Sequence, residues 1–339
     1  MTGKAPRLDR VGAAEHRVSA QDIADTYDLI GSHLRRTPLL EVGLDELDPA
    51  CSPRSVVLKL EQLQVAGSFK VRGAFANLML RDLPEAGVVA ASGGNHGVAV
   101  AYAAQRLGVR ASVFVPTVSA PEKIARIRAL GAELVVGGER YADALAAAEA
   151  HQSASGALGV HAFDQRETVL GQGTLAVELD RQLPAVDTVL VPVGGGGLIA
   201  GIAAWYGDAV RVVGVEPDEA PTLTRARAAG RPTDAPAGSV ASDALAPRRV
   251  GELVFPITQR FVDDVVLVDD AAIIHAQAAL WRAARVVAEP AAAVGVAALL
   301  GGAYTPSPHE RVAVVISGAN TAPAALEVTT AGSRNEPHA

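Results

Sequence analysis

Short valine-rich runs recur along the chain and alternate with segments that have a helical pattern. Such runs, with little polar alternation, are typical of strands that are buried on both faces of a parallel sheet. Eight runs predict strands, at residues 55–61, 87–92, 111–116, 132–137, 187–194, 210–217, 264–269 and 311–318. Segments 99–108 and 121–132 are typical of intervening helices. The sequence therefore predicts an α/β protein whose sheets are mainly parallel, with helices on each side.

The composition limits the possible partners. The 339 residues suffice for two domains or one large α/β domain. The net charge of −7 is spread without a basic block, which argues against nucleic acid or an anionic membrane as a partner. The only cysteine, Cys51, excludes an internal disulfide and multi-cysteine metal sites. The start lacks a signal-peptide pattern, and the apolar segment 290–304 is too short to span a bilayer, so we expect a cytoplasmic protein.

Small residues follow three of the predicted strands, at the point where a helix begins. These loops lie in segments 91–104, 191–206 and 316–326, and a fourth glycine-rich segment, 171–179, opens a helix without an obvious strand before it. Backbone N–H groups at a helix start lack partners and attract anions. Four consecutive glycines, residues 194–197, predict an anion cradle with no side chain in the way.

The tetraglycine segment also allows two other interpretations. It is compatible with an ordinary tight connection between a strand and a helix. It is also compatible with a dinucleotide-binding fingerprint, because Gly195, Gly197 and Ala200 have the required spacing and Glu216 follows 216 − 195 = 21 residues after Gly195. In that interpretation Glu216 binds a ribose hydroxyl and the chain is an NAD-dependent dehydrogenase.

Lys70 favours a different cofactor. Lysine and arginine together number 30, but only four of them are lysine, and Lys70 lies at the predicted helix start in GSFK. A lysine amine can lose its proton and attack a carbonyl, whereas a guanidinium stays charged. A phosphorylated aldehyde that reacts with an amino acid needs this amine, a cradle for its phosphate and a second cradle, near Ser92 to His96, for the substrate carboxylate. Pyridoxal phosphate meets these requirements.

The motifs together resemble a known family. GSFKVRGA, SGGNHGVAVAYAA, GQGT, VPVGGGGLIAGIA, GVEP, EPAAAVGVAAL and ISGAN occur in the order found in fold-type II pyridoxal-phosphate enzymes, and the chain is most similar to the threonine/serine dehydratase and serine racemase branch. The resemblance implies a tryptophan synthase β-like fold with two open twisted, mainly parallel sheets flanked by helices, and a homodimer. It implies a large cofactor-binding domain of residues 19–82 and 163–328, a small mobile domain of residues 83–162, and flexible tails at residues 1–18 and 329–339.

The resemblance also implies a role for each site residue. Lys70 would hold the cofactor through its aldehyde and, once freed by substrate, act as the base at Cα. Phe69 would stack on the pyridine ring, Asn95 would bond the ring hydroxyl, and Ser317 would face the ring nitrogen. The phosphate would be bound by Gly194, Gly195, Gly196, Gly197 and Leu198. The substrate carboxylate would be bound by Ser92, Gly93, Gly94, Asn95 and His96, with His96 a structural member of the loop. The substrate side chain would meet loops near segments 163–168 and 240–245.

Two departures from the family pattern shape the expected activity. Position 93 is glycine where the racemases carry a serine that moves a proton, so we expect elimination in preference to racemisation. Thr222 stands where many relatives carry the second carboxylate of a divalent-cation site, which leaves Glu216 as a weak candidate ligand. We therefore expect no strong metal site, and a divalent cation remains an open question.

The resemblance thus implies a pyridoxal-phosphate-dependent dehydratase. It would convert L-threonine, L-serine or a related β-hydroxy amino acid to a 2-oxo acid and ammonia. Three alternatives stay open: an amino-acid racemase of the same family, an NAD-dependent dehydrogenase, and a catalytically silent member of the fold that senses amino acids.

Overall fold

Two separate sheets form the framework of the protein. The computed structural model describes residues 18–119, 121–139, 141–245 and 247–321. Each of the eight predicted runs contains a strand. Over the described residues, the strands are β1 (Leu39–Gly43), β2 (Ser55–Lys59), β3 (Val88–Ala91), β4 (Ala111–Val115), β5 (Glu133–Val136), β6 (Leu158–Gly159), β7 (Thr188–Pro192), β8 (Arg211–Pro217), β9 (Asp264–Val268) and β10 (Val312–Val315).

Helices connect most of these strands, as the alternating pattern predicts. The helices in the same part of the chain are α1 (Ala20–Ile30), α2 (Leu44–Leu47), α3 (Lys70–Leu80), α4 (Asn95–Leu107), α5 (Pro121–Ala129), α6 (Tyr141–Ser155), α7 (Arg166–Gln182), α8 (Gly197–Tyr206), α9 (Thr222–Ala229), α10 (Ser242–Leu245), α11 (Val254–Phe261), α12 (Asp270–Ala284) and α13 (Pro290–Leu300). Gly108 ends α4 in a left-handed conformation, with φ of 69°, which glycine adopts without steric cost. None of these helices is both long and apolar enough to cross a membrane.

The larger sheet has six strands in the order β1-β2-β10-β7-β8-β9. All neighbours are parallel except β1 and β2, which pair antiparallel. Every residue of the central strands β7 and β10 is buried, because helices cover both faces. Val294 of α13 and Val314 belong to one apolar cluster, and Ile199 of α8 belongs to a second cluster together with Val189 and Val191. This double burial explains the valine-rich runs.

The smaller sheet has four parallel strands in the order β5-β4-β3-β6. Its strands all lie between residues 88 and 159, inside the segment expected to form the small domain. The mainly parallel two-sheet architecture is therefore confirmed. The domain limits and the mobility of the small domain stay predictions, and the expected tails lie outside the described residues except for Val18.

One local expectation from the sequence is wrong, and two strands were missed. The GQGT segment does not open a helix but lies inside α7, where glycine allows other backbones to come close. A Cβ at Gly171 would lie 2.5 Å from the carbonyl oxygen of Arg72, and one at Gly201 would lie 2.5 Å from the nitrogen of Gly173. The glycines of α7 therefore serve helix packing, not anion binding.

Strands β1 and β6 were not predicted, because β1 is an edge strand with only Val42 buried and β6 has two residues.

Candidate active site

Lys70 is the first residue of α3 and follows a tight turn. The 3-10 turn Val65–Gly67 contains Ala66 in a left-handed conformation, with φ of 64°, and Gly67 with φ of 77°. Ser68 then pairs with Gly318 in an isolated antiparallel bridge. This route brings the chain from the larger sheet to α3, and the amine of Lys70 donates a hydrogen bond of 2.8 Å to the carbonyl oxygen of Ala162.

The surroundings of Lys70 favour its neutral amine. Burial lowers the pKa of Lys70 from 10.5 to about 8, and the carboxylate of Glu289 acts in the opposite direction. Burial dominates because the charged ammonium loses water on entering the protein. An amine with this pKa is neutral in an appreciable fraction of molecules near neutral pH, as a nucleophile or base requires.

The tetraglycine turn begins at Gly194, two residues after the end of β7, and leads directly into α8. Gly196 has φ of 90°, a left-handed conformation that favours glycine, and Gly197 is the first residue of the helix. Phe163 covers this turn: a Cβ at Gly197 would lie 2.8 Å from the carbonyl oxygen of Phe163, and one at Gly195 would collide with its ring. The turn therefore presents backbone amides at a helix start, as an anion cradle requires.

Residues 162 and 163 bring Lys70 and the tetraglycine turn together. The carbonyl oxygen of Ala162 accepts the hydrogen bond from Lys70, and the next residue, Phe163, packs on Gly195 and Gly197. The amine and the amide cradle are therefore both in contact with one short segment. Neither Ala162 nor Phe163 was predicted as a cofactor-binding residue, although the sequence singled out segment 163–168 as a region near the substrate.

Phe69 and Ser317 lie directly beside Lys70. The backbone nitrogen of Phe69 donates to the carbonyl oxygen of Ser317 at 3.1 Å, and Ser317 is buried. The Phe69 ring lies 5.2 Å from the amine of Lys70. The structure thus gathers the lysine, the aromatic ring and the serine that the sequence predicted to surround one cofactor ring, while their individual roles stay predictions.

Asn95 reaches the same place through Glu289, which the sequence did not predict as a site residue. The side-chain nitrogen of Asn95 donates to Oε1 of Glu289 at 2.6 Å, and the side-chain oxygen of Asn95 accepts from Nδ2 of Asn320 at 2.6 Å. The backbone nitrogen of Glu289 in turn donates to the carbonyl oxygen of Gly318, next to Ser317, at 3.0 Å. This chain of bonds therefore links the start of α4 to the start of α13 and to the segment that follows β10.

The loop from Ser92 to His96 follows β3, the strand that leads to the site from the smaller sheet. The hydroxyl of Ser92 accepts a hydrogen bond of 3.1 Å from the backbone nitrogen of Gly94. His96 is buried, its Nε2 donates to the carbonyl oxygen of Val160 at 2.9 Å, and burial lowers its pKa to about 3. His96 is therefore neutral at physiological pH, and its Nε2 is already engaged in the hydrogen bond to Val160. The binding of a substrate carboxylate at this loop stays a prediction.

Comparison with known proteins decides the family. The family described as pyridoxal-phosphate dependent enzyme matches residues 30–318. The chain belongs to this family. It is 38% identical over 308 residues to the L-threonine ammonia-lyase of Thermotoga maritima, covering 89% of this chain and 76% of that protein. It is 32% identical over 321 residues to the serine racemase of Oryza sativa subsp. indica, covering 91% and 93%. The crystal structure of the T.th. threonine deaminase superimposes with a TM-score of 0.82 at 37% identity, covering 90% of this chain and 99% of that one.

The residues around Lys70 and the tetraglycine turn fit pyridoxal phosphate, the cofactor of this family. The hydroxyl of Ser68 is buried next to Lys70 and has no hydrogen-bond partner among the described residues, so a polar group of a ligand can satisfy it. The amine of Lys70 suits an aldehyde, and the amides of the tetraglycine turn suit a phosphate. The fold class and the cofactor predicted from the sequence are thus confirmed.

Glu216 has a structural task in this pyridoxal-phosphate dependent enzyme. Its two carboxylate oxygens accept hydrogen bonds from the backbone nitrogens of Leu223 and Thr224, at 2.6 and 2.9 Å, at the start of α9. Burial raises its pKa to about 7. A ribose hydroxyl would have to displace these bonds, and the family match sets aside the NAD alternative. In the described ranges, no group of three or more His, Cys, Asp or Glu side chains could hold a metal ion.

Proposed function

We propose that the protein is a dehydratase that eliminates water from L-threonine, L-serine or a related β-hydroxy amino acid. The products are a 2-oxo acid and ammonia. The observation that carries this proposal is the amine of Lys70, with its pKa lowered to about 8, which bonds to Ala162 next to the Phe163 that packs on the tetraglycine turn. The L-threonine ammonia-lyase of Thermotoga maritima and the T.th. threonine deaminase support the choice of reaction and substrate.

The roles of the chain's own residues follow from this chemistry. Bound pyridoxal phosphate supplies an aldehyde that captures the substrate amine and a ring that withdraws electrons from Cα. Lys70 anchors the cofactor and, in its neutral form, removes the Cα proton. The amides of residues 194–198 hold the phosphate, and the loop from Ser92 to His96 binds the substrate carboxylate. Asn95 would bind the ring hydroxyl, and Ser317 would face the ring nitrogen with a hydroxyl that does not hold a proton there.

Elimination is favoured over racemisation because residue 93 has no side chain. Racemisation needs a second group that moves a proton on the face of Cα opposite Lys70, and glycine has none to offer. The serine racemase of Oryza sativa subsp. indica keeps racemisation as the second candidate function.

The experiment that tests this proposal measures both products. The purified holoenzyme is incubated with L-threonine and L-serine, 2-oxo acid is measured with a coupled dehydrogenase, and D-serine is measured by chiral chromatography. We expect 2-oxo acid from both substrates, little D-serine, and no product from Lys70→Ala. Lys4→Ala, at a lysine outside every motif, is the matched control and should keep full activity.

Two outcomes would overturn the proposal. Full turnover by Lys70→Ala would remove the lysine from the reaction. D-serine formed faster than pyruvate would identify a racemase. A panel of larger β-hydroxy amino acids, such as phenylserine and hydroxyaspartate, then ranks the substrates by kcat/KM.

We also propose that the protein acts in the cytoplasm and as a homodimer, as the family resemblance implies. Light scattering coupled to size-exclusion chromatography tests the assembly. A mass of about twice the 34.7 kDa of the chain is the expected result, and a monomer at micromolar concentration would contradict it.

A further inference from the structure

Four charged side chains are buried together behind the active site. Lys59 ends β2, Glu61 lies in the 3-10 turn that follows, Arg72 lies in the first turn of α3, and Glu178 lies in α7. None of them is more than 2% exposed. We call these four residues the buried quartet. It holds two positive and two negative charges, so the group is neutral as a whole.

Arg72 is the centre of the buried quartet. Its Nε and Nη2 donate to the two carboxylate oxygens of Glu61 at 2.8 and 2.7 Å, which is a bidentate pair. Nη2 also donates to Glu178 at 3.1 Å, and Nη1 donates to the hydroxyl of Thr174 at 3.2 Å. The planar guanidinium is therefore held from two sides, by the segment before α3 and by α7.

Lys59 and Thr37 complete the hydrogen bonding of the buried quartet. The amine of Lys59 donates to Glu178 at 2.6 Å, to Gln182 at 2.7 Å and to the carbonyl oxygen of Thr37 at 2.8 Å. Thr37 donates from its hydroxyl to Glu61 at 2.6 Å and from its backbone nitrogen to Glu178 at 2.7 Å. Each charge thus faces an opposite charge and at least one further partner.

Stability alone does not explain this arrangement. Apolar side chains of similar volume often stabilise a fold as well as a buried ion pair, because the ions lose their hydration. What charged pairs add is direction, since a bidentate pair fixes both the distance and the orientation of its partners. The direction fixed here is that of α3, and Lys70 is the first residue of α3.

The position of the buried quartet in the chain strengthens this argument. Glu61 precedes the turn that contains Ala66, with φ of 64°, and Arg72 follows it. A left-handed conformation at a non-glycine residue costs free energy and persists only where the surrounding structure enforces it. The pair between Glu61 and Arg72 closes the loop over this turn and so enforces the path that leads to Lys70.

We propose that Arg72, held by Glu61 and Glu178, is the positioning residue that aims the amine of Lys70 into the active site. This inference rests on the proposed function in one respect, the role of Lys70 as anchor and base. Arg72 is fully buried and its guanidinium donates to Glu61, Thr174 and Glu178, so in this proposal it acts through Lys70 and not on the substrate. A substitution that weakens the hydrogen bonds of Arg72 should therefore change the surroundings of the Lys70 amine even where the protein remains folded.

The test replaces Arg72 by lysine, which keeps the charge but cannot form the bidentate pair. The first readout needs no catalysis: the pH midpoint of Lys70 acylation in the cofactor-free full chain, measured by competitive labelling and mass spectrometry. We expect the midpoint to rise from about 8 toward 10.5, because a displaced amine regains water. In the holoenzyme we expect kcat for L-threonine to fall by about 100-fold, as a misplacement near 1 Å can cause, with KM changed by less than about threefold.

Two further variants keep the test decisive. Arg81→Lys makes the same substitution just after the other end of α3, where Arg81 donates to the carbonyl oxygen of Gly159 at 2.9 Å, and should leave the midpoint of Lys70 and kcat unchanged. Thr174→Val removes one hydrogen bond from Arg72, and it decides the question if Arg72→Lys does not fold. We expect a smaller change in the same two readouts.

The outcomes separate this inference from the proposed function. An unchanged midpoint and kcat in Arg72→Lys, or in Thr174→Val if Arg72→Lys does not fold, would overturn the positioning role even if the variant melts earlier. Wild-type protein without turnover of any β-hydroxy amino acid would overturn the proposed function instead, while the labelling result would still decide the role of Arg72.

Discussion

The ionisation of Lys70 is the property of this site that can be perturbed most selectively. Burial lowers its pKa from 10.5 to about 8, and the Glu289 carboxylate raises it. At pH 7.5 an amine with a pKa of 8 is neutral in about one quarter of the molecules, against about one in a thousand for a pKa of 10.5. The structure therefore predicts that the neutral fraction of Lys70 in the cofactor-free protein at pH 7.5 is about two hundred times that of an ordinary lysine.

Glu289→Gln is the change that tests the electrostatic part of this account. Glutamine has nearly the same size and can still accept the hydrogen bond from Asn95, but it carries no negative charge. Loss of the carboxylate removes an interaction that favours the ammonium, so the pKa of Lys70 must fall further. The neutral fraction at pH 7.5 can then rise by at most about fourfold, because it starts near one quarter.

The assay is competitive acylation of the cofactor-free protein across pH 6 to 11, with N-acetyl-lysine amide as the internal reference. The midpoint, and not the rate, reports the pKa, so differences in accessibility do not enter. Glu41→Gln, on an exposed position of β1, is the control and should leave the midpoint near 8. A midpoint near 10.5 in wild-type protein, or a higher midpoint in Glu289→Gln than in wild type, would refute the reasoning.

Two predictions concern stability near the site. Gly196→Ala should lower the free energy of unfolding by about 3 kcal/mol, because a left-handed alanine is strained and its Cβ would lie 2.6 Å from Val254. Gly230→Ala, also left-handed but in open space, should cost only about 1 kcal/mol, and equal losses in urea titrations would contradict this explanation. Asp164 accepts hydrogen bonds from three backbone amides at the start of α11, so Asp164→Ala should cost about 2 kcal/mol. Asp269→Ala, which removes a single such bond at α12, should cost about 1 kcal/mol, and the reverse order of the two losses would count against the capping argument.

Local pattern predicted the parts of the fold that local physics controls. Strands buried on both faces must be apolar, so the valine-rich runs correctly predicted β7 and β10. The edge strand β1 has exposed Glu41 and only one buried residue, and its sequence carries no such mark. Glycine has two uses, close packing and unusual backbone angles, which explains why the prediction of a helix start at GQGT was wrong while the tetraglycine turn was recognised.

The candidate site could be predicted only where one segment carries the chemistry. Lys70 and the tetraglycine turn are such segments. Ala162, the partner of Lys70, lies 92 residues away from it in the chain, and Glu289, the partner of Asn95, lies 194 residues away. Only folding brings these pairs together. The buried quartet could not be predicted from the sequence either, because charged residues are nearly always exposed unless they are paired, and the pairing is formed only by folding.

The attachment of pyridoxal phosphate to Lys70 is the claim on which the rest of the account depends. The direct measurement is borohydride reduction of the purified holoenzyme, followed by proteolysis and mass spectrometry of the lysine-containing peptides. The account predicts one phosphopyridoxyl group per chain, on Lys70, and loss of visible absorbance on reduction. A phosphopyridoxyl group on Lys59 or another lysine, with Lys70 unmodified, would contradict it.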